Sequence, residues 1–207
     1  MVDSTTQGQP IVERLVDRDR RALARAIAVI ENREPGHKSL VGNLYNYQRS
    51  ANIIGITGSP GAGKSTLVDQ LAKRFRAQNN TVGILAIDPS SPFTGGAVLG
   101  DRTRMGSAAG DMGVFMRSMS ARGALGGLSI ACSDAITALG AFNTDIILVE
   151  TVRAGQDEID IVRTAETVVV LLQPSNGDDT QMLKAGILEI ADLFVVNRAD
   201  QPGVEKR

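Results

Sequence analysis

From Asn52 onward, short apolar runs alternate with segments of helical spacing. NIIGIT (52–57), VGILAID (82–88), DIILVE (145–150), TVVVLLQ (167–173) and LFVVN (193–197) are strand-length runs apolar on both faces, and GVFMRSM (113–119) is a weaker run of the same kind. Such strands belong in a parallel sheet covered by helices on both sides. Leu67, Leu71 and Phe75 follow the first run at four-residue spacing, which predicts a helix. Before Asn52 the texture is helical. Residues 10–33 place Leu23, Ala26, Ile27 and Ile30 on one face, with Asp19 as a cap for a second helical piece and Pro35-Gly36 as its stop. A further short helix is expected over Leu40–Arg49. The predicted organisation is a disordered tail at 1–9, a helical segment at 10–50 and an α/β domain at 51–207, with no internal repeat or low-complexity tract.

Composition narrows the chemistry. The chain of 207 residues fits one domain with a small appendage. Its 22 basic and 23 acidic residues nearly cancel, and no basic cluster dominates, which argues against nucleic acid or a membrane surface as partner. Trp is absent and aromatics make up 3%, so stacking platforms for bases are not expected. One cysteine, Cys132, and one histidine, His37, leave no material for an internal disulfide, a zinc site or a Ser-His-Asp triad. The start, MVDSTTQGQP, carries no signal-peptide core and is not an Arg-rich transit sequence, and the apolar runs are too short to span a bilayer. A cytoplasmic protein is expected.

The strongest motif is GSPGAGKST (58–66), which fits the pattern G-x-x-x-x-G-K-[ST] through Gly58, Gly63, Lys64 and Ser65. Such a loop turns its backbone N–H groups, here those of Ser59, Pro60-flanking Gly61, Ala62 and Gly63, around phosphate oxygens. The helix beginning near Lys64 adds its positive end, Lys64 reaches the terminal phosphates, and the hydroxyls of Ser65 and Thr66 lie beside them, Ser65 as a ligand for Mg²⁺. At average residue usage a chance match in a chain this long arises on the order of one time in a hundred. A strand before it and a helix after it reduce that further. The chain is expected to bind a nucleoside triphosphate.

A triphosphate with Mg²⁺ calls for acidic groups that hold the metal's waters. Asp88 closes ILAID, Asp101 lies in the Gly-rich GGAVLGD, and Glu150 closes DIILVE. Each alone reads as a cap or a solvated loop residue; together they form a candidate metal constellation with Ser65. Asn197-Arg198-Ala199-Asp200 follows the last apolar run and is similar to the guanine motif N-K-x-D, with Arg in place of Lys. A carboxylate at Asp200 accepts from both the N1–H and the 2-amino group of guanine, a pair that adenine lacks. A site built on such bonds rejects the analogue without them by roughly 10⁴-fold or more. Asn197 would brace the loop and the Arg198 stem would lie over the base. Taken alone, N-x-x-D before Pro-Gly also suits an ordinary turn; taken with the phosphate loop it favours GTP and GDP as ligands.

With these residues in place the sequence resembles the MeaB/ArgK family of methylmalonyl-CoA-mutase-associated GTPases. The resemblance rests on GITGSPGAGKSTL, AIDPSSPFTGGAVLGDRTRM, FMRSMSARGALGGLS, GDDTQMLKAGILEIAD and NRAD, and spans roughly residues 10–207. It implies a P-loop GTPase domain of the signal-recognition and metallochaperone class behind a small helical segment. It implies a GTPase that gates adenosylcobalamin loading onto the mutase and protects the mutase from inactivation. It also implies that Asp88 and Asp101 belong to a first switch, Glu150 and Gln156 to a second, and QPSNGDDTQMLK (173–184) to a loop that signals to the mutase. Arg104 and Lys184 fall at family positions near the nucleotide or the switches. Lys64, Glu150 and Gln156 are the candidate catalytic residues.

Two departures stand out. The family pattern has Gly where this chain has Arg153, in a switch loop whose glycine N–H contacts the γ-phosphate. A Cβ and a long cation there damage the approach, are tolerated if the loop tilts, or place a cation on the γ-phosphate in the manner of an arginine finger; the first is the preferred expectation, since replacing a loop glycine rarely improves its geometry. Second, family members continue beyond the equivalent of Asp200 with another guanine-contacting loop, more sheet and a helical arm used for dimerisation, so this sequence reads as truncated. The rival readings are a P-loop kinase of a small molecule or protein, and a GTP-binding fragment that does not hydrolyse. A metal-delivery GTPase fits poorly with so little His and Cys.

Overall fold

A computed structural model of the chain describes residues 9–88, 110–120, 127–151, 164–173 and 189–199. Six strands form one sheet: β1 (Asn52–Gly58), β2 (Val82–Asp88), β3 (Val114–Ser120), β4 (Ile146–Thr151), β5 (Thr167–Leu172) and β6 (Leu193–Val196). Their order is β3-β2-β4-β1-β5-β6, with every neighbour pair parallel. This is the α/β fold expected from the doubly apolar runs. All six predicted strands are present, including the weak GVFMRSM run.

Side-chain alternation sorts the layers. Ile84, Val82, Ile146, Leu148, Ile56, Val169 and Leu171 pack with Val68 and Ala72 of α4 (Lys64–Ala77) on one face. Leu85, Ile87, Ile147 and Val149, their immediate neighbours in sequence, pack on the other face with α1 (Gln9–Val16), α2 (Arg20–Glu31), α3 (His37–Tyr45) and α5 (Gly127–Ala141). The N-terminal helices therefore share one apolar cluster with the sheet. Two polar ties reinforce that packing. Arg117 of β3 forms a buried ion pair with Glu31 of α2 at 2.8 Å, and Arg20 donates to the carbonyls of Met112 and Val114 at 2.6 Å each.

The helices differ in detail from the sequence reading. The stretch 10–33 is two helices, broken at Asp17-Arg18-Asp19; Asp19 caps the second, its carboxylate accepting from the N–H groups of Arg21 and Ala22. α3 begins earlier than Leu40 and ends earlier than Arg49, because Gly36, in the left-handed region at φ 87°, opens the turn and Asn46 closes it. α5 has no counterpart in the sequence reading. Its residues Ala131, Cys132, Ala135, Ile136, Ala138, Leu139 and Ala141 are buried, while Ser133 and Asp134 reach the surface. In α4 the residues that face deepest are Val68 and Ala72, while Leu67, Leu71 and Phe75 flank them, half-buried. The Cys132 thiol is buried, and that burial pushes its pKa up to about 12. No helix among the described residues is long and apolar enough to cross a membrane.

Candidate functional site

The phosphate loop leaves the carboxyl end of β1, the strand at which the sheet order turns back on itself, where ligands of open α/β sheets bind. Two glycines are required by position. Gly58 has φ 140° and lies so close to the Leu171 carbonyl of β5 that a Cβ would collide with it. Gly63 has φ 95°, and a Cβ there would collide with the Asn197 amide. Between them Ala62 N–H closes a turn on the Ser59 carbonyl at 3.1 Å. Ser59 and Ala62 are buried, whereas Pro60, Gly61 and Thr66 are exposed. α4 starts at Lys64, so its first N–H groups open towards the loop without partners in the helix.

Period-two alternation then brings the carboxylate in. Glu150 follows Ile146 and Leu148 on the α4 face of β4, one residue past Val149 on the opposite face. It is 4% exposed and meets the first turn of α4, where the Ser65 hydroxyl donates to it at 2.6 Å. Lys64 is 5% exposed, and its ammonium donates to the carbonyls of Gly58 at 2.8 Å and Ser59 at 2.9 Å. Burial holds the Lys64 pKa below the ordinary lysine value, opposed by the negative charge of Glu150. Pro60, Gly61, Gly63, Lys64, Ser65, Thr66 and Glu150 line a cleft of about 320 Å³. A hydroxyl and a carboxylate oxygen that converge on one point are the hard oxygen donors magnesium prefers, so the residues present fit that ion.

The end of β6 reaches the same loop. Val195 packs on the α4 face, and Asn197 follows two residues later. Its side-chain amide donates to the Ala62 carbonyl at 2.7 Å, its backbone N–H to Leu172 at 2.9 Å, and its side-chain oxygen accepts from the N–H of Arg198. Arg198 holds the left-handed conformation at φ 55° and is exposed. The motif NRAD thus joins the phosphate loop through Asn197. Asp88 ends β2 beside β4, in register with Ala86↔Glu150 and Ile87↔Thr151, but its side chain lies outside the described residues. Asp101, Arg104, Arg153, Gln156, Lys184 and Asp200 also lie outside the described residues.

Sequence reasoning missed one polar pair at this end of the sheet. Thr57 and Thr151, each directly before or after a site residue, are fully buried on the other face and share a hydrogen bond of 2.9 Å. Only the apolar company of their strands hinted at it.

With this geometry in view, comparison with known proteins is decisive. The family model described as "Methylmalonyl Co-A mutase-associated GTPase MeaB" matches residues 23–207. The chain belongs to the MeaB family. A putative GTPase of Pyrococcus horikoshii is 54% identical to this MeaB-family chain over 200 residues, covering 95% of the chain and 63% of the relative. The GTPase ArgK of Escherichia coli is 36% identical over 204 residues, covering 97% and 61%. The chain therefore spans less than two thirds of the length of these relatives. A crystal structure named LAO/AO transport system kinase superposes with a TM-score of 0.74 at 25% identity, covering 97% of this chain and 59% of that one. The fold is that of P-loop nucleoside triphosphatases.

Proposed function

We propose that the chain binds GTP and GDP with Mg²⁺ in the phosphate-loop cleft, hydrolyses GTP to GDP and phosphate, and acts as a cytoplasmic chaperone that gates adenosylcobalamin loading onto methylmalonyl-CoA mutase, or a related B12-dependent acyl-CoA mutase, and protects it. The carrying observation is the meeting of the Ser65 hydroxyl and the buried Glu150 carboxylate beside Lys64 in a glycine-turned loop. The names of the relatives support the GTPase reading, and the family description supports the mutase.

In this reading Lys64 exchanges its bonds to the Gly58 and Ser59 carbonyls for phosphate oxygens, and with the loop N–H groups it stabilises charge that develops on the γ-phosphate. Ser65 and Glu150 would hold magnesium, with Asp88 and Asp101 as further acidic partners. The ion would supply positive charge that neutralises the triphosphate. Gln156 orients the attacking water. Asp200 selects guanine, Arg198 lies over the base, and Asn197 holds that loop against Ala62. The long cation at Arg153 slows turnover by obstructing the approach of its loop to the γ-phosphate.

Titration calorimetry with GTP, GDP and ATP tests the binding. Heat with guanine nucleotides and little with ATP is expected; no heat with GTP or GDP removes the reading, and equal uptake of ATP removes the base assignment. Turnover, measured with and without a methylmalonyl-CoA mutase, is expected to rise in Arg153→Gly; unchanged or reduced turnover overturns the obstruction. A second reading, phosphoryl transfer to an acceptor, is favoured by the printed name of the structural neighbour, a transport system kinase. Phosphate appearing on an added acceptor rather than free in solution would distinguish it.

A further inference from the structure

A second cleft, of about 520 Å³, opens at the opposite end of the sheet from the phosphate loop. It lies between the end of α1, the connection from α3 to β1 and the connection from α5 to β4, so it borders the amino ends of the two strands whose carboxyl ends carry Gly58 and Glu150. Its polar lining consists of Arg18, Asn46, Tyr47, Gln48, Arg49 and Asn143. Every one of these side chains can donate a hydrogen bond, and no carboxylate is among them.

Two of the arginines that form no ion pair among the described residues, Arg18 and Arg49, share this cleft. Arg14, Arg25, Arg76 and Arg117 are each ion-paired, and Arg20 donates to two backbone carbonyls. Arg18 and Arg49 have no carboxylate partner within ion-pair distance among the described residues, yet both are held in place. Arg18 lies over the Phe142 ring at 5.9 Å, and Arg49 donates to the Asn143 side-chain oxygen at 3.3 Å. Two carboxylates lie near by without closing an ion pair: Asp145 accepts from the Thr81 N–H and hydroxyl at 2.7 Å each and feels the charge of Arg18, and Glu166 lines, together with Arg49, an adjoining smaller cleft. The planar donors of two guanidinium groups lining one cleft match phosphate and carboxylate oxygens.

We infer that this cleft is a second ligand site, separate from the nucleotide, that takes a small molecule bearing two or more oxyanion groups. The cleft borders the amino-end connections of β1 and β4, away from the phosphate loop and Glu150 at their carboxyl ends. Amide NMR of the ¹⁵N-labelled full chain tests this residue by residue, since anions that enter the phosphate loop move the amides of 59–66 instead. Pyrophosphate and citrate, each bearing more than one oxyanion group, are titrated separately, against sodium chloride at matched ionic strength. Saturable shifts at Asn46–Arg49 and Asn143 are expected with at least one of the two, the tighter of them naming the oxyanion class. In the exposed double substitution Arg18→Gln/Arg49→Gln, and in Arg49→Gln alone, saturation should need at least about tenfold more ligand. Shifts that chloride reproduces, shifts that persist unchanged in both variants, or none at these amides overturn the inference.

Discussion

The two faces of the sheet solve different problems with the same strands. On the face covered by α1, α2, α3 and α5, interior positions are almost all aliphatic, and Leu15, Leu23, Ile27, Leu44 and Ile147 have no exposure. On the α4 face the aliphatic packing of Ile84, Leu148 and Val68 gives way, towards the carboxyl ends, to Ser65 bonded to Glu150 and to Lys64 and Asn197, each bonded to backbone carbonyls of the phosphate loop. The first face supplies stability through burial, and the one buried charge pair described there, Arg117 with Glu31, is closed on itself. The second spends part of its burial on a desolvated ammonium and a carboxylate beside an open cleft, groups that cost free energy to bury and are retained where they serve a ligand. Stability and function should therefore separate under mutation.

The largest stability effect is expected on the first face. Ile27→Ala removes a fully buried side chain from α2 and should lower unfolding free energy by about 2–5 kcal/mol, read from denaturant midpoints, while nucleotide affinity of the folded fraction stays the same. Lys64→Met should do the reverse. Loss of a charge-assisted contact worth about 1.5–3 kcal/mol should weaken nucleotide binding by roughly tenfold to over a hundredfold, with unfolding free energy shifted by no more than about 1 kcal/mol. If either variant moved both quantities together, the division between the faces would fail. Asn197→Ala sits between them: it frees the Ala62 carbonyl and should reduce nucleotide affinity by about 1–2 kcal/mol in calorimetry, with a smaller loss of stability.

The smallest effect is a pH dependence. Burial lowers the Lys64 pKa in the free protein, and an incoming phosphate raises it again by favouring the ammonium. Near and above that lowered value binding therefore takes up a proton, and affinity should decline as pH rises through it. Calorimetry in two buffers of different ionisation enthalpy measures the proton directly. Lys64→Arg, whose side chain stays charged, should flatten the dependence. A proton released on binding would contradict the assignment.

Much of this fold was legible because parallel strands buried on both faces leave unbroken apolar runs. The six runs sit within a residue of the observed strands, and Asp19 announced its helix by chemistry that only a cap requires. α5 was not read, because small and apolar residues fill most of the stretch and its few polar residues, Ser129, Ser133, Asp134 and Thr137, are a weak period signal. The phosphate loop could be drawn from glycine spacing; the bond from Asn197 to Ala62 of that loop could not, because the motif predicts a bracing role and not its partner. The hydrogen bond between Thr57 and Thr151 could not be read, because it depends on the register of β1 against β4, which no local pattern encodes. The cleft at Arg18 and Arg49 was equally hidden: it joins three connections far apart in sequence, each of which reads alone as a solvated turn.

That register also constrains how the chain can change. Glu150 and Thr151 are adjacent in β4, yet one faces α4 and the other the opposite layer. Removing a single residue from the middle of β4 would turn the strand over from that point: the hydroxyl would arrive at Ser65 and the carboxylate would be driven among aliphatic neighbours. Insertions and deletions in this lineage should therefore collect in the connections between elements and spare the interior of β4, whatever the drift in its individual aliphatic residues.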